Sequence, residues 1–332
     1  MPNPTQSDLH VNVPLTNVSV AYIPNAGDYV CSQIFPKVPV QKQSDLYWKW
    51  SKSDWRRSDV VKRAPGTESA GVGWNYTTDS YFAHVYAVHR DIDDQVRANA
   101  DSNFSLDSDS TKFITNQLLL KRELDWANNY FKTGVWGTEY TGVSATPGSG
   151  EFMQWNDSSS DPIKDVQEWK IDFRLKTGYT PNVMVLGVDV MKELKQHPDL
   201  IDRIKYTQRG VVTDDLVASL FDMPKLLVSY ASYTDVARIN DAVAQDAAAE
   251  YNFISDTKGA LLAYVPSAPS LLTPAAGYTF VWNGYHAGNS EGIRMKQFRM
   301  EHIASDRIEG EMTYDQKVVA EDMGVFVNTV VA

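Results

Sequence analysis

The sequence predicts an α+β fold organised around a long β-hairpin, and three observations carry that prediction. Residues 45–90 hold two alternating runs, Leu46-Tyr47-Trp48-Lys49-Trp50 and Trp74 to Val88, separated by a basic stretch containing Gly and Pro. Residues 111–133 place apolar side chains at helical spacing. From 161 to 230 short helices and strands alternate, and the last forty residues are strand-rich.

Taken in order, residues 1–44 read as an extended arm, because prolines at 2, 4, 14, 24, 36 and 39 forbid a long helix. In the hairpin, arms of about a dozen residues at ~3.3 Å each would reach ~40 Å. A two-stranded ribbon is marginal alone in water, so its rings need cover. Four of them, Trp48, Trp50, Trp74 and Tyr76, would remove roughly 600–1,000 Å² from water if buried. In the helix at 111–133, Ser108, Asp109 and Ser110 offer N-caps, Gly134 ends it, and Phe113, Leu120, Leu124, Ala127 and Phe131 share a face widened by Ile114 and Leu118. Lys121-Arg122-Glu123 reads as a solvated or neighbour-facing edge. Residues 135–160 read as a long loop or irregular hairpin. Asp161-Pro162 opens a second helix that Gly178 and Pro181 close. Asn182–Leu186 and Leu226–Tyr230 read as strands. Ile308, Met312 and Tyr314 alternate with Arg307, Glu309, Glu311, Thr313 and Asp315, which gives one buried and one wet face.

The net charge of −11 over 332 residues argues against a generally nucleic-acid-binding surface. The charge is uneven. Between residues 49 and 63, Lys49, Lys52, Arg56, Arg57, Lys62 and Arg63 oppose only Asp54 and Asp59, so this window carries +4 and the rest −15. A basic hairpin on an acidic body suits contact between copies. Cys31 is the single cysteine, which excludes an intrachain disulfide and a cysteine-based zinc site. No stretch approaches a membrane span, and the N-terminus lacks the features of a signal peptide.

Motifs for chemistry are missing. The six histidines are scattered, and His84 and His89 fall on opposite faces of one strand, wrong for joint ligation. Asp107-Ser108-Asp109 begins like a calcium loop, but Leu118 stands where a bidentate Glu is required. Gly71-Val72-Gly73 enters a strand, and neither a P-loop nor a nucleophile elbow is present. No cofactor, metal or catalytic residue is expected.

The order of parts, and three stretches of text, resemble the major capsid proteins of tailed bacteriophages with the Hong Kong 97-like fold. The stretches are Phe35-Pro36-Lys37-Val38-Pro39-Val40, Arg63-Ala64-Pro65-Gly66-Thr67-Glu68-Ser69 and Val85 to Asp94. The resemblance implies an N-terminal arm at 1–44, an extended loop at 45–90, a peripheral domain with a spine helix at 91–160, an axial domain at 161–290, and C-terminal strands at 291–332 completing the peripheral domain. It implies a structural protein of the virion that self-assembles into hexamers and pentamers around double-stranded DNA, without sequence-specific binding. Assembly would occur in the host bacterial cytoplasm. With no helical scaffolding segment ahead of the arm, a separate scaffolding protein is expected, together with portal and decoration proteins. The inter-subunit contacts would come from Trp48, Trp50, Arg56, Arg57, Lys62, Arg63, Trp74 and Tyr76. Two alternatives stand beside this reading: a nanocompartment shell of the same fold, and an α+β hydrolase using the hairpin as a lid.

Overall fold

A computed structural model describes residues 26–54, 56–100, 105–204, 212–236, 242–269, 273–286 and 292–332. Most of the expected arm, residues 1–25, lies outside them. The chain runs through α1 (Cys31–Ile34), β1 (Lys37–Val40), β2 (Ser44–Trp50), β3 (Tyr76–Phe82), β4 (His84–Asp93), α2 (Asp94–Asn99) and α3 (Leu106–Tyr130). Next come β5 (Thr138–Val143), β6 (Glu151–Met153), α4 (Pro162–Thr177), β7 (Val183–Leu186), α5 (Val188–Gln196), α6 (Pro198–Ile204), α7 (Asp214–Leu220) and β8 (Lys225–Val228). The remainder holds β9 (Ser232–Tyr233), α8 (Ala242–Ala248), β10 (Asn252–Phe253), β11 (Ala260–Ala263), β12 (Gly277–Trp282), α9 (Asn283–His286), β13 (Ile293–Met300), β14 (Ser305–Val318) and β15 (Gly324–Asn328).

The hairpin is shorter than its alternation predicts. β2 and β3 pair antiparallel over seven residues each, from Ser44↔Phe82 to Trp50↔Tyr76, a span of ~23 Å. The second alternating run is two strands rather than one. After Ala83 the chain leaves the hairpin, and β4 pairs with β14 from His84↔Tyr314 to Asp93↔Ser305. The switch has a packing cause. Tyr47 and Tyr81 turn inward at the hairpin root and lie on Phe280, with centroids 5.5 and 4.6 Å away. This seats the ribbon on the sheet and hands the following residues to an open ladder.

β14 is the centre of a five-stranded sheet, flanked by β4 and β13 along its first part and by β12 along its last, with β1 parallel beyond β12. Ile308, Met312 and Tyr314 are buried as their alternation predicts. The opposite face is not uniformly wet: Glu311 and Thr313 are buried. Glu311 is paired with Lys296 and lies 3.5 Å from the Tyr285 hydroxyl, so the turn after β12 covers this end of the sheet.

The second sheet has six strands in the order β6-β5-β15-β11-β7-β8. β7 and β11 are buried throughout, as central strands covered on both faces must be. Residues 135–160, expected as a long loop or irregular hairpin, supply β5 and β6, which are paired parallel rather than as a hairpin, with β5 also parallel to β15. The sheets therefore do not divide along the contiguous ranges 91–160, 161–290 and 291–332. β5, β6 and β15 join the strands of the 161–290 segment, while β12 leaves that segment for the sheet of β14. Alternation marks a strand but carries no information about its partner.

α3 spans two of the hydrophobic cores, the one under β14 and the larger one, and this rotates its buried face. The helix starts at Leu106, so Ser108, Asp109 and Ser110 lie inside its first turns, where Asp107 and Asp109 complement the positive end of the helix. Asp107 is also held by the Arg97 fork at 2.8 and 2.9 Å. Ile114 and Leu118 pack under β14, while Trp126, Ala127 and Phe131 enter the larger core. Phe113 is exposed instead. The expected charged edge is split: Lys121 pairs with Asp125 at the surface, whereas Arg122 and Glu123 are buried. The Glu123 carboxylate accepts the backbone N–H groups of Val30 and Cys31 at 2.9 and 3.0 Å.

α4 follows its sequence signals closely. Asp161 caps Lys164 N–H at 3.0 Å, Pro162 fills the first turn, and Gly178 closes the helix at φ 82°. In its first turn, Asp165 accepts the Trp155 indole N–H at 3.0 Å. Burial pushes the Asp165 carboxyl up to about 6, against the downward pull of that hydrogen bond. A folded pKa above the ordinary 3.8 means stability is fully present at low pH and is lost as pH rises from about 4 to about 6. Asp165→Asn is expected to remove this loss. Relative to the unmodified protein, it should gain about 1 kcal/mol of unfolding free energy between pH 4 and 7, allowing for partial solvent screening. Denaturant titrations of both proteins at the two pH values check this.

Candidate functional site

The outer face of the ribbon and the loop beyond it hold the residues that the sequence singles out. Trp48 stacks on Tyr76 with centroids 5.0 Å apart and an interplanar angle of 15°. Both rings, and Trp74 beside them, remain more than half exposed at 51%, 53% and 62%. Period 2 explains the division: Tyr47 and Tyr81 point to the core, and Trp48 points to the opposite face. The Trp50 backbone pairs with Tyr76, but its side chain lies outside the described residues. Along the inner edge, Lys49 bonds Asp79 at 2.8 Å, and its ammonium holds that carboxyl below the usual range.

The loop from 51 to 75 closes on Asp54. This carboxylate is 4% exposed and accepts both the backbone N–H and the side-chain amide of Asn75, at 2.7 and 3.1 Å. Two turn-forming residue types were the only sign of this clamp in the sequence. The four cations separate. Arg56 bonds its own chain, donating to the Lys176 carbonyl at 2.7 Å, where a cation complements the end of α4. Arg57 bonds Asp59 at 2.9 Å, Arg63 donates to Thr67 O across a local turn, and Lys62 is exposed. Lys52, which is not among the expected contact residues, pairs with Asp322 just before β15.

Elsewhere, the buried serine–histidine pair among the described residues is not arranged for catalysis. Ser160 Oγ lies 3.0 Å from His197 Nε2, and both residues are buried. His197 Nδ1 accepts the Asp199 N–H at 3.2 Å, so the proton sits on Nε2. Ser160 donates to the Asp157 carbonyl at 2.7 Å. This histidine is a donor to the serine and not its base. A cleft of about 140 Å³ lies between α3 and β14, lined by Tyr86, Asp125, Tyr130, Tyr314 and Asp315. Its tyrosines are raised above the ordinary value, first by burial and then by the neighbouring carboxylates, which leaves them protonated hydrogen-bonding groups. Among the described residues, no three His, Cys, Asp or Glu side chains form a group able to hold a metal ion.

No family model matches the chain. It is 28% identical over 224 residues to a major capsid protein of Burkholderia phage BcepMu, covering 67% of this chain and 69% of that one. It is 25% identical over 232 residues to a major capsid protein of Pseudomonas phage JBD67, covering 69% of each. Among solved structures, a phage-related protein from Bordetella bronchiseptica matches with a TM-score of 0.68 at 20% identity over 92% of both chains. The capsid of cyanophage P-SCSP1u matches with a TM-score of 0.60 at 12% identity, covering 97% of this chain and 93% of that one. An encapsulin complex from Synechococcus elongatus matches with a TM-score of 0.52 at 8% identity over 97% of each chain. The fold is thus common to phage heads and encapsulins, whereas both sequence relatives are phage capsid proteins. Sequence and fold together make this chain a major capsid protein of tailed bacteriophages with the Hong Kong 97-like fold, a structural component of the virion and not an enzyme.

Proposed function

We propose that the subunit assembles as hexamers and pentamers of the icosahedral head, and that the β2–β3 ribbon with its loop lies over an adjacent subunit. The observation that carries this reading is the stacked, exposed pair Trp48–Tyr76 on a ribbon whose other face is seated in its own core. Rings of this size left in water favour burial against a partner. In this reading Trp48, Trp50, Trp74 and Tyr76 provide apolar contact, and Arg57, Lys62 and Arg63 set register against acidic neighbours. Arg56 instead braces the loop on its own helix. The residues from 1 to 44 act as the arm, α3 as the spine helix, the sheet of β14 as the peripheral domain, and the sheet of β7 and β11 as the axial domain. A separate scaffolding protein, a portal and a decoration protein are the further partners. The shell encloses double-stranded DNA without gripping it, since a chain of net charge −11 offers few phosphate contacts.

Trp48→Ser combined with Tyr76→Ser is expected to leave the subunit folded and to cut particle yield at least about tenfold, because exposed rings contribute little within the protomer. Circular dichroism and negative-stain micrographs give the two readouts. Undiminished yield would remove the ribbon from the interface. Nuclease-protected DNA inside native particles separates a phage head from a nanocompartment, which would hold a packaged enzyme instead.

A further inference from the structure

The inner face of α4 buries Ile163, Val166, Trp169 and Phe173. Its outer face is expected to be polar, yet Ile171 and Leu175, one turn apart, are 67% and 70% exposed. The fold gives no reason for two aliphatic side chains there. Glu168 flanks them with its side chain 64% exposed, and Asp172 lies alongside, accepting the Tyr140 hydroxyl at 2.6 Å. The loop shows the complementary pattern: Val60 and Val61 are 88% and 66% exposed, with Arg56 and Arg57 before them and Lys62 and Arg63 after.

We infer that Ile171 and Leu175 on α4 form a docking surface for Val60–Val61 of a second copy of this chain, with Lys62 and Arg63 of that copy meeting Glu168 and Asp172. The occupant is a second copy because the protomer's own loop reaches this helix only at its end. Arg56 bonds the Lys176 carbonyl and lies beside Gly178, while both valines and the stripe stay in water. The stripe is therefore continuous with the loop surface without being covered by it. Apolar pairs framed by opposite charges fix register as well as contact. This inference rests on the reading that the loop joins copies, and it specifies the receiving surface.

The full chain carrying Val61→Cys and Leu175→Cys tests it. Cys31, the native cysteine, is 2% exposed, so it gives little background. Oxidation of assembled particles should give a ladder of covalent multimers on a non-reducing denaturing gel, with neither single variant doing so. Wild-type particles together with double-variant particles that give no ladder, or only an intrachain product, overturn the inference and leave assembly intact. Failure of the wild-type chain to form particles overturns the parent reading instead. Should the cysteine variant not assemble, Val60→Ser with Val61→Ser decides. The subunit should stay folded while the concentration needed for assembly rises about tenfold or more, and an unchanged requirement overturns the docking.

Discussion

Replacing Arg56, Arg57, Lys62 and Arg63 together by glutamate is expected to abolish particle formation while the subunit remains folded. All four side chains are on the surface, and surface charges contribute little to protomer stability, so the thermal midpoint should move by no more than about 3 °C. Assembly is different, because in the proposed arrangement the same loop approaches a body carrying −15 outside residues 49–63. Reversal turns attraction into repulsion at every copy-to-copy contact. Assembly of the unmodified protein should in turn weaken as salt shortens the screening length to about 8 Å and below. Comparing Arg56→Glu alone with the other three reversed separates bracing from contact. Arg56→Glu places a carboxylate against the Lys176 carbonyl and loosens the loop on its own helix. The triple reversal leaves that brace in place and inverts the charges beyond it, at the cost of the local contacts of Arg57 with Asp59 and of Arg63 with Thr67. Light scattering and size exclusion read both, and unaltered yield in the quadruple variant would remove charge from the account of assembly.

Glu123→Ala should produce the largest loss of stability from a single polar side chain. The carboxylate is fully buried on α3 and holds two backbone N–H groups at the start of α1. Truncation strands both donors in the core and leaves a void, costing on the order of 3–5 kcal/mol. Glu123→Gln retains one acceptor but turns its amide toward the other N–H, so an intermediate loss is expected. Burial raises the Glu123 carboxyl above its ordinary 4.5, even though Cys31 and the two N–H groups pull it down. The sign follows from linkage: the folded form holds its proton to higher pH than the unfolded chain, so this residue's contribution is greatest in acid and falls as pH rises through the folded value. The Gln variant should lose that dependence. Denaturant midpoints measured across pH check both statements, and a loss below about 1 kcal/mol for Glu123→Ala would show that the anchoring of α1 depends on packing alone.

What was legible in the sequence follows from local rules. Asp161, Pro162 and Gly178 delimit α4 because capping is decided within one turn of chain. The ribbon's two faces follow from period 2, which puts Tyr47 inward and Trp48 outward. The basic loop is a matter of composition. The family resemblance, too, was carried by short stretches of text.

The tertiary structure alone decided where those pieces go. The run Trp74–Val88 has one period and two partners, because Tyr81 packs on Phe280 at the ribbon root and the residues after Ala83 pair with β14 instead of β2. Glu123 reads as surface in a charged triplet, and it becomes core because two N–H groups some ninety residues earlier arrive beside it. Arg56 is one of four similar cations until α4 ends next to it. In each case residue spacing fixes the periodicity and the facing of an element. Its partner is set by contacts between distant segments, where burial and hydrogen-bond satisfaction are summed over the whole chain.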